Sequence, residues 1–169
     1  VGDAFEIDNT CASAVEITTN GLQQTRTFHS ANDRDWVKFK AQAFQTYSID
    51  VNNLGAKADA TLELYDKCDG TAASQNNGSF GSEVHLDWNS PGTATYFLKL
   101  QQFDPAIAGS DTNYQLSITI DNTPPSAPRS VRCISIDNTR LGLQWQRSPE
   151  YDVNRYRISY SGSGIAGSD

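Results

Sequence analysis

Two short acidic segments carry the residue types and the spacing that could hold a metal ion. The first contains Glu6, Asp8 and Asn9, and the second contains Asp33 and Asp35. Side chains two residues apart in an extended chain project to the same side, so the acids of each segment point together. If the segments fold side by side, their carboxylates repel one another unless a cation lies between them, and Ca²⁺ accepts six to eight hard oxygen ligands. The sequence therefore predicts that these four carboxylates, with the amides of Asn9 and Asn32, converge on a Ca²⁺ site.

The spacing alone leaves a second interpretation open, in which these acids are solvated residues of turns. Asp and Asn favour turns by themselves, and neither segment has the Gly and Glu of an EF-hand loop. A transition-metal site is disfavoured because the chain contains only two histidines.

The sequence shows no recognised catalytic motif. It has no G-x-S-x-G elbow, no H-E-x-x-H motif and no glycine-rich phosphate loop. His29 and His85 fall inside predicted strands, away from an obvious Ser or Cys partner. Asp66 and Asp69 belong to the run DKCDG, which is typical of a hairpin turn. We predict that the chain is not an enzyme.

Three cysteines are present, and no two of them have the C-x-x-C spacing of a zinc or redox site. An exported domain permits a disulfide between Cys11 and Cys68, and the alternative is two small buried thiols. Cys133 alternates with Val131 on a predicted strand, so we expect it to pack as a small apolar residue.

Three aromatic residues form a possible ligand-contact group. By strand parity, Trp36 and Phe97 point outward, and Tyr65 lies opposite Leu62 and Leu64. Such a row on a sheet face could stack against sugars or grip a collagen-like strand. The alternative is that the rings pack beneath loops.

Period-two alternation dominates the first 121 residues. Seven short runs alternate apolar and polar residues between turn formers: Leu22–Ser30, Trp36–Gln42, Thr46–Asn52, Thr61–Asp66, Glu83–Trp88, Ala94–Gln101 and Asn113–Ile120. This pattern predicts an all-β, jelly-roll-like antiparallel sandwich over residues 1–121. The net charge of −7, without a Lys/Arg block, argues against nucleic acid and anionic membrane surfaces. No apolar run is long enough to insert into a membrane.

A proline-rich linker is predicted over residues 122–128, followed by an incomplete domain over 129–169. Two triplets alternate inward there: Leu141, Leu143 and Trp145, and Tyr156, Ile158 and Tyr160. Their few strands lack the second sheet that would cover the apolar face. We expect either that this part belongs to a longer chain or that a partner supplies the missing strands.

The first part also resembles a known family. The run FEIDNTCASAVEI is followed by NDRDWVKFKA, then YSIDVNNLGAKADATLELYDKCDG and finally YQLSITI. Over residues 3–120 these runs resemble the bacterial pre-peptidase C-terminal (PPC) domain. That family consists of small secreted β-sandwiches appended to proteases and other exported enzymes, with collagen-binding relatives in clostridial collagenases.

The resemblance has implications for the metal site. In calcium-binding members the opening acids and the Asp-x-Asp loop share the metal, which implies five ligands here: Glu6, Asp8, Asn9, Asp33 and Asp35. Two positions depart from the family pattern: Ile7 stands where Pro is common, and Asn9 replaces an acid. The Asn9 carbonyl can still bind a cation, but the site loses one negative charge.

Residues 124–169 are similar to the first half of a fibronectin type III domain, with a Pro-x-x-P opening, a Trp-bearing strand and YRISY. Together the two resemblances imply a non-catalytic, calcium-stabilised accessory module of a secreted bacterial protein, extracellular or on the cell surface. Such a module serves spacing, stability or attachment, and its partners are neighbouring domains or copies of itself. Two alternatives are a filament subunit assembled by strand exchange and a module that binds carbohydrate or collagen.

Overall fold

The fold is taken from a computed structural model that describes residues 2–121, 126–135, 140–149, 153 and 155–159. The chain divides into two compact units, residues 1–122 and 123–169. The predicted linker, residues 122–128, begins at the boundary between these units, and part of it lies outside the described residues.

The first unit contains nine strands and two short 3₁₀ helices. The strands are β1 (Val15–Glu16), β2 (Gln24–Thr27), β3 (Arg34–Ala41), β4 (Thr46–Asn52), β5 (Ala60–Tyr65), β6 (Ser74–Asn76), β7 (Val84–Asn89), β8 (Ala94–Gln102) and β9 (Asn113–Ile120), and the 3₁₀ helices are Cys11–Ser13 and Ser110–Thr112. One sheet has five strands in the order β1-β3-β8-β5-β6, and the other has four in the order β2-β9-β4-β7.

The two sheets form an antiparallel sandwich, as the sequence predicted. Strands β2 to β9 fill the sheets in the order of an eight-stranded jelly roll, and β1 adds a short parallel pair at the edge beside β3. Strands β4 and β9 match their predicted bounds, because each alternates without interruption. Strands β1 and β6 were not predicted, since two or three residues are too few to show a period.

The inward residues of both sheets build one hydrophobic core. Val37, Ile49, Leu62, Leu98 and Ile118 are fully buried and belong to a single cluster. One end of the sandwich is filled by aromatic rings with centroids 4.5–6.2 Å apart: Phe39, Tyr47, Trp88 and Tyr96. The other end is polar and contains the acidic segments described below.

The outer faces of the two sheets differ in composition. The five-stranded sheet presents cations and aromatic rings, namely Arg34, Trp36, Lys38, Lys40, Tyr65, Phe97 and Lys99. The four-stranded sheet presents Ser, Thr and amide side chains together with Asp50, His85 and Asp87, and no Lys or Arg among the described residues.

The second unit has one antiparallel hairpin, β10 (Arg129–Ser135) and β11 (Leu141–Gln146). The third strand predicted from YRISY is absent at the described positions 155–159, and Tyr160 lies outside them. The expectation that Cys133 is buried is wrong: it is free and exposed. The described residues cover the hairpin face at Trp145, where the Tyr156 ring packs with centroids 5.5 Å apart, but leave Leu141 75% exposed.

In the described parts of the chain, no helix has the length and apolar character needed to span a bilayer.

Candidate metal centre

The N-terminal segment lies against the beginning of β3. The carbonyl oxygen of Asp8 accepts a hydrogen bond from the Trp36 amide (3.0 Å), and Asn9 Oδ1 accepts one from the Arg34 amide (3.1 Å). Asp3 Oδ2 accepts a third from the Thr27 amide at the end of β2 (2.8 Å). These bonds bring the two acidic segments side by side, at the polar end of the sandwich.

An outer group of side chains lies at this junction, in which Glu6 and His29 are partly exposed and Asp33 is buried. His29 Nδ1 lies 2.7 Å from Glu6 Oε1 and 2.7 Å from Asp33 Oδ2, and the ligand atoms of the three residues lie within 4.8 Å of one another. Asp33 is held in place by the backbone amides of His29 (2.7 Å) and Arg34 (3.1 Å). Asn32 (φ 64°) allows the tight turn before Asp33, since Asn tolerates the left-handed region.

An inner group is built around a buried arginine. Arg26 is 0% exposed and Asp8 is 1% exposed, and Arg26 Nη1 donates to Asp8 Oδ2 at 2.5 Å. Gln24 Oε1 accepts from Arg26 Nε (3.1 Å) and Nη2 (2.8 Å), and the guanidinium lies 4.5 Å from the centre of the Phe5 ring. The guanidinium is therefore satisfied by a carboxylate, an amide and an aromatic face.

Asp35 belongs to the inner group and is bonded across the core. Its side chain is 1% exposed and accepts a hydrogen bond from the Tyr114 hydroxyl at 2.5 Å. Burial raises the pKa of Asp35 to about 8, although the Tyr114 hydrogen bond and the Arg26 charge oppose the rise. Burial also raises the pKa of Asp8, against the opposing effect of Arg26. The positive charge of Arg26 does not compensate for the desolvation of Asp8 and Asp35, so the pKa of both carboxyl groups stays raised.

The five predicted ligands thus fall into two sets. The side chains of Glu6, Asn9 and Asp33 lie on the outer side, where their oxygen atoms are suitable ligands for Ca²⁺. Asp8 and Asp35 are bonded within the sandwich. Burial, with the Asp33 charge adding to it, raises the pKa of Glu6 as well. The outer donor set fits a hard divalent cation, with His29 as an additional nitrogen neighbour.

Sequence reasoning missed two residues of this region. His29 was assigned to a strand, but β2 ends at Thr27, and the four-residue spacing from His29 to Asp33 was the signal for a contact. Arg26 occupies an inward position on β2, two residues before the buried Phe28. A cation at an inward position of a strand predicts a buried acidic partner.

The backbone at Ile7 is strained. It has φ 87° and its side chain is 84% exposed, which is unfavourable for a β-branched residue. We expect Ile7→Gly to raise the free energy of unfolding by about 0.5–1 kcal/mol, because relief of the strain outweighs the flexibility that Gly adds to the unfolded chain. Urea unfolding measures this. Ile7→Val is the matched control, since it remains β-branched; an equal gain in both variants contradicts the explanation.

A separate polar cluster surrounds His85 on the four-stranded sheet. His85 Nδ1 lies 2.7 Å from Asp50 Oδ1, and Nε2 lies 3.2 Å from Asp87 Oδ2. The Ser48 hydroxyl donates to Asp87 (2.6 Å), so it is not paired with the imidazole as a nucleophile would be.

This cluster gives a pH-dependent prediction. The hydrogen bond to Asp50, with Asp87 adding to it, raises the pKa of His85 above its usual 6.5. The resulting stabilisation is present below pH 6.5 and is lost as pH rises through the folded-state pKa. Because the side chain is 56% exposed, solvent screening keeps the effect below about 1 kcal/mol. Urea unfolding of the wild type and His85→Gln should differ more at low than at high pH; an equal difference contradicts the assignment.

A disulfide joins Cys11 to Cys68, across a sequence separation of 57. It connects the first 3₁₀ helix, which precedes β1, to the loop after β5, and so joins the two cysteines of the proposed pair.

The three aromatic residues lie on the outer face of that sheet, as parity indicated. The Trp36 and Tyr65 rings pack with centroids 5.3 Å apart, and Trp36 is only 8% exposed. Phe97 lies between them on β8, directly across from Tyr65. Trp36 is therefore closed to a ligand, whereas Tyr65 and Phe97 remain partly exposed.

No family model and no curated protein sequence matches the chain. Among solved structures, the pre-peptidase C-terminal domain of the collagenase from Bacillus anthracis aligns with a TM-score of 0.50 and 18% identity, over 63% of this chain and 94% of that one. The sandwich has a PPC-like fold.

Two further structures align more loosely with the chain. PliG from Aeromonas hydrophila, a periplasmic inhibitor of g-type lysozyme, aligns with a TM-score of 0.45 and 15% identity, over 64% of this chain and 97% of that one. The mitogen derived from Yersinia pseudotuberculosis aligns with a TM-score of 0.41 and 13% identity, over 63% and 90%. Neither of the two bears on function.

Proposed function

We propose that this chain is a non-catalytic accessory module of a secreted protein, and that Ca²⁺ stabilises its PPC-like sandwich. The fold supports a module rather than a catalytic domain. The Cys11–Cys68 disulfide supports export, because such bonds persist in oxidising compartments. The module would serve spacing, stability or attachment within a larger protein.

One observation carries the calcium proposal: the N-terminal segment places oxygen donors of Glu6 and Asn9 beside Asp33. Glu6 and Asp33 share His29 Nδ1 at 2.7 Å, and Asn9 and Asp33 both accept from the Arg34 amide at 3.1 Å. A bound Ca²⁺ would neutralise these carboxylates and fasten the N-terminal segment to β3. Asp8 and Asp35 would support the site from inside the sandwich. Their bonds to Arg26 and Tyr114 fix the backbone next to Asn9 and close to Asp33.

The calcium proposal predicts a stability increase on metal addition. A free Ca²⁺ concentration about 100 times the dissociation constant should raise the free energy of unfolding by about 2.7 kcal/mol. Thermal unfolding in excess Ca²⁺ and in chelator measures the change as a shift in Tm. The Glu6→Gln/Asp33→Asn variant should lose the shift.

Two exposed acids provide the matched control. Asp66→Asn/Asp69→Asn removes the same charge from the loop after β5 and should keep the full shift. A wild-type Tm that is the same in Ca²⁺ and in chelator would contradict the proposal. A larger shift with Zn²⁺ than with Ca²⁺ would also contradict it, because His29 would then define a different metal site.

A second candidate function is supported by the second unit. Its described residues expose apolar side chains: Leu141 (75%) and Val131 (57%) on the hairpin, and Ile158 (59%) in the segment after it. A partner strand could cover these side chains, and head-to-tail exchange that does not close produces a filament. Light scattering over a concentration series tests the idea. A monomer at every concentration contradicts it, and polymers visible by electron microscopy support it.

A further inference from the structure

A groove crosses the outer face of the five-stranded sheet beside the disulfide. Its volume is about 430 Å³. The Cys11–Cys68 bond forms one wall, and Lys38, Lys40 and Phe97 lie along the strands that form the floor. Phe97 is partly exposed there, so the groove combines an aromatic surface with two cations.

The cations of the first unit are concentrated on this face. Residues 1–122 contain 16 Asp and Glu but only 7 Lys and Arg, and one of these cations, Arg26, is buried. Four of the remaining six lie on the outer face of the five-stranded sheet: Arg34, Lys38, Lys40 and Lys99. A strongly acidic domain therefore presents a locally basic surface, which favours an anionic ligand.

Two of these cations are available to a ligand. Lys99 Nζ is paired with Glu63 at 2.5 Å, and both side chains are mostly buried. Lys40 Nζ lies 4.0 Å from Glu16, with both side chains mostly exposed, which is a weak pair. Lys38 has no carboxylate within 4.0 Å among the described residues. Lys38 and Lys40 can therefore pair with an incoming anion.

The position of the groove favours a carbohydrate over a peptide. Strand β8 pairs with β3 and β5, so its backbone groups are used on both sides, and β3 pairs with β8 along its length and with β1 at Val37 and Lys38. An extended peptide gains most of its affinity from free backbone groups at a sheet edge. The groove offers mainly side chains: the Phe97 ring, the Thr95 hydroxyl, the Lys38 and Lys40 ammonium groups, and the Glu16 carboxylate 4.0 Å from Lys40. An aromatic face beside polar groups suits the apolar face of a sugar ring.

We propose that this groove binds an acidic polysaccharide, with uronate carboxylates paired to Lys38 and Lys40 and a sugar ring packed on Phe97. The inference deepens the attachment role proposed above and is independent of Ca²⁺. Binding is therefore measured in chelator, at a temperature where circular dichroism shows the chain folded. Loss of uronate binding would then leave the calcium proposal standing, and loss of the calcium shift would leave uronate binding standing.

The experiment is calorimetric titration of the full chain with oligogalacturonides. We expect saturable binding that weakens with added salt. Lys38→Gln/Lys40→Gln should weaken it about tenfold, as expected for two exposed charge contacts. Phe97→Leu, which keeps an apolar side chain but removes the ring, should weaken it as well. The control Lys57→Gln removes a positive charge from the loop between β4 and β5, away from the groove, and should bind as the wild type does.

Four outcomes would overturn the proposal. One is the absence of binding, and another is a loss in Lys57→Gln as large as the loss in Lys38→Gln/Lys40→Gln, which indicates a general charge effect. The third is equal affinity for a neutral oligosaccharide of the same length. The fourth is equal or tighter binding of polyglutamate or of collagen, which would identify a protein partner.

Discussion

Replacing Asp8 with asparagine is expected to lower the free energy of unfolding by about 3–5 kcal/mol. The reason is that Arg26 is 0% exposed and its charge is offset at 2.5 Å by Asp8. The asparagine would leave a buried guanidinium without a carboxylate partner, next to the neutral Gln24 side chain. Urea unfolding in chelator measures the loss without any contribution from bound metal.

Two further variants make this prediction specific. Asp66→Asn removes an exposed carboxylate and should change stability by less than about 0.5 kcal/mol. The double replacement Asp8→Leu/Arg26→Met removes both charges and should recover most of the loss, because well-packed apolar residues often replace a buried ion pair without penalty. An Asp8→Asn variant as stable as the wild type would show that Arg26 is not dependent on this carboxylate.

Loss of the Cys11–Cys68 disulfide is expected to lower the free energy of unfolding by about 4 kcal/mol, because the unfolded chain gains entropy when the bond is absent. The bond closes a loop with a sequence separation of 57, and removal of that constraint increases the entropy of the unfolded chain. Cys11→Ser/Cys68→Ser should therefore lower Tm by about 10–20 °C relative to the wild type.

The third cysteine supplies the control for this experiment. Cys133 is free and exposed, so Cys133→Ser should leave Tm unchanged in the absence of reductant. Reduction of the Cys133→Ser protein should then reproduce the loss seen in the double variant. If reductant leaves its Tm unchanged, the 57-residue constraint does not contribute to stability.

Local alternation was enough to predict the strands of the sandwich, because each long strand has one face in the core. The meeting of the two acidic segments was a condition of the calcium prediction rather than a result of alternation, and the Asp8 carbonyl does bond to the Trp36 amide at the beginning of β3. Alternation could not show the direction of each carboxylate. That direction depends on Arg26, which lies on a different strand and in the other sheet.

The remaining differences have similar causes. His29 enters the outer group only because β2 ends at Thr27, and the end of a strand is poorly marked in a sequence. Cys133 was expected to be buried because alternation indicates which residues share a face, but it does not show whether another layer covers that face. Whether Glu6, Asn9 and Asp33 bind Ca²⁺ stays a prediction.

The arrangement of β9 has a mechanical consequence. Near its first residue, Thr27 pairs with Asn113 and also bonds to Asp3, whereas Ile120 lies at the far end of the same strand, about 24 Å away. A pull on residue 121 along the axis of β9 therefore loads the β2–β9 and β4–β9 ladders in shear. Many hydrogen bonds must then break together rather than one after another, so this end of the sandwich resists being pulled apart.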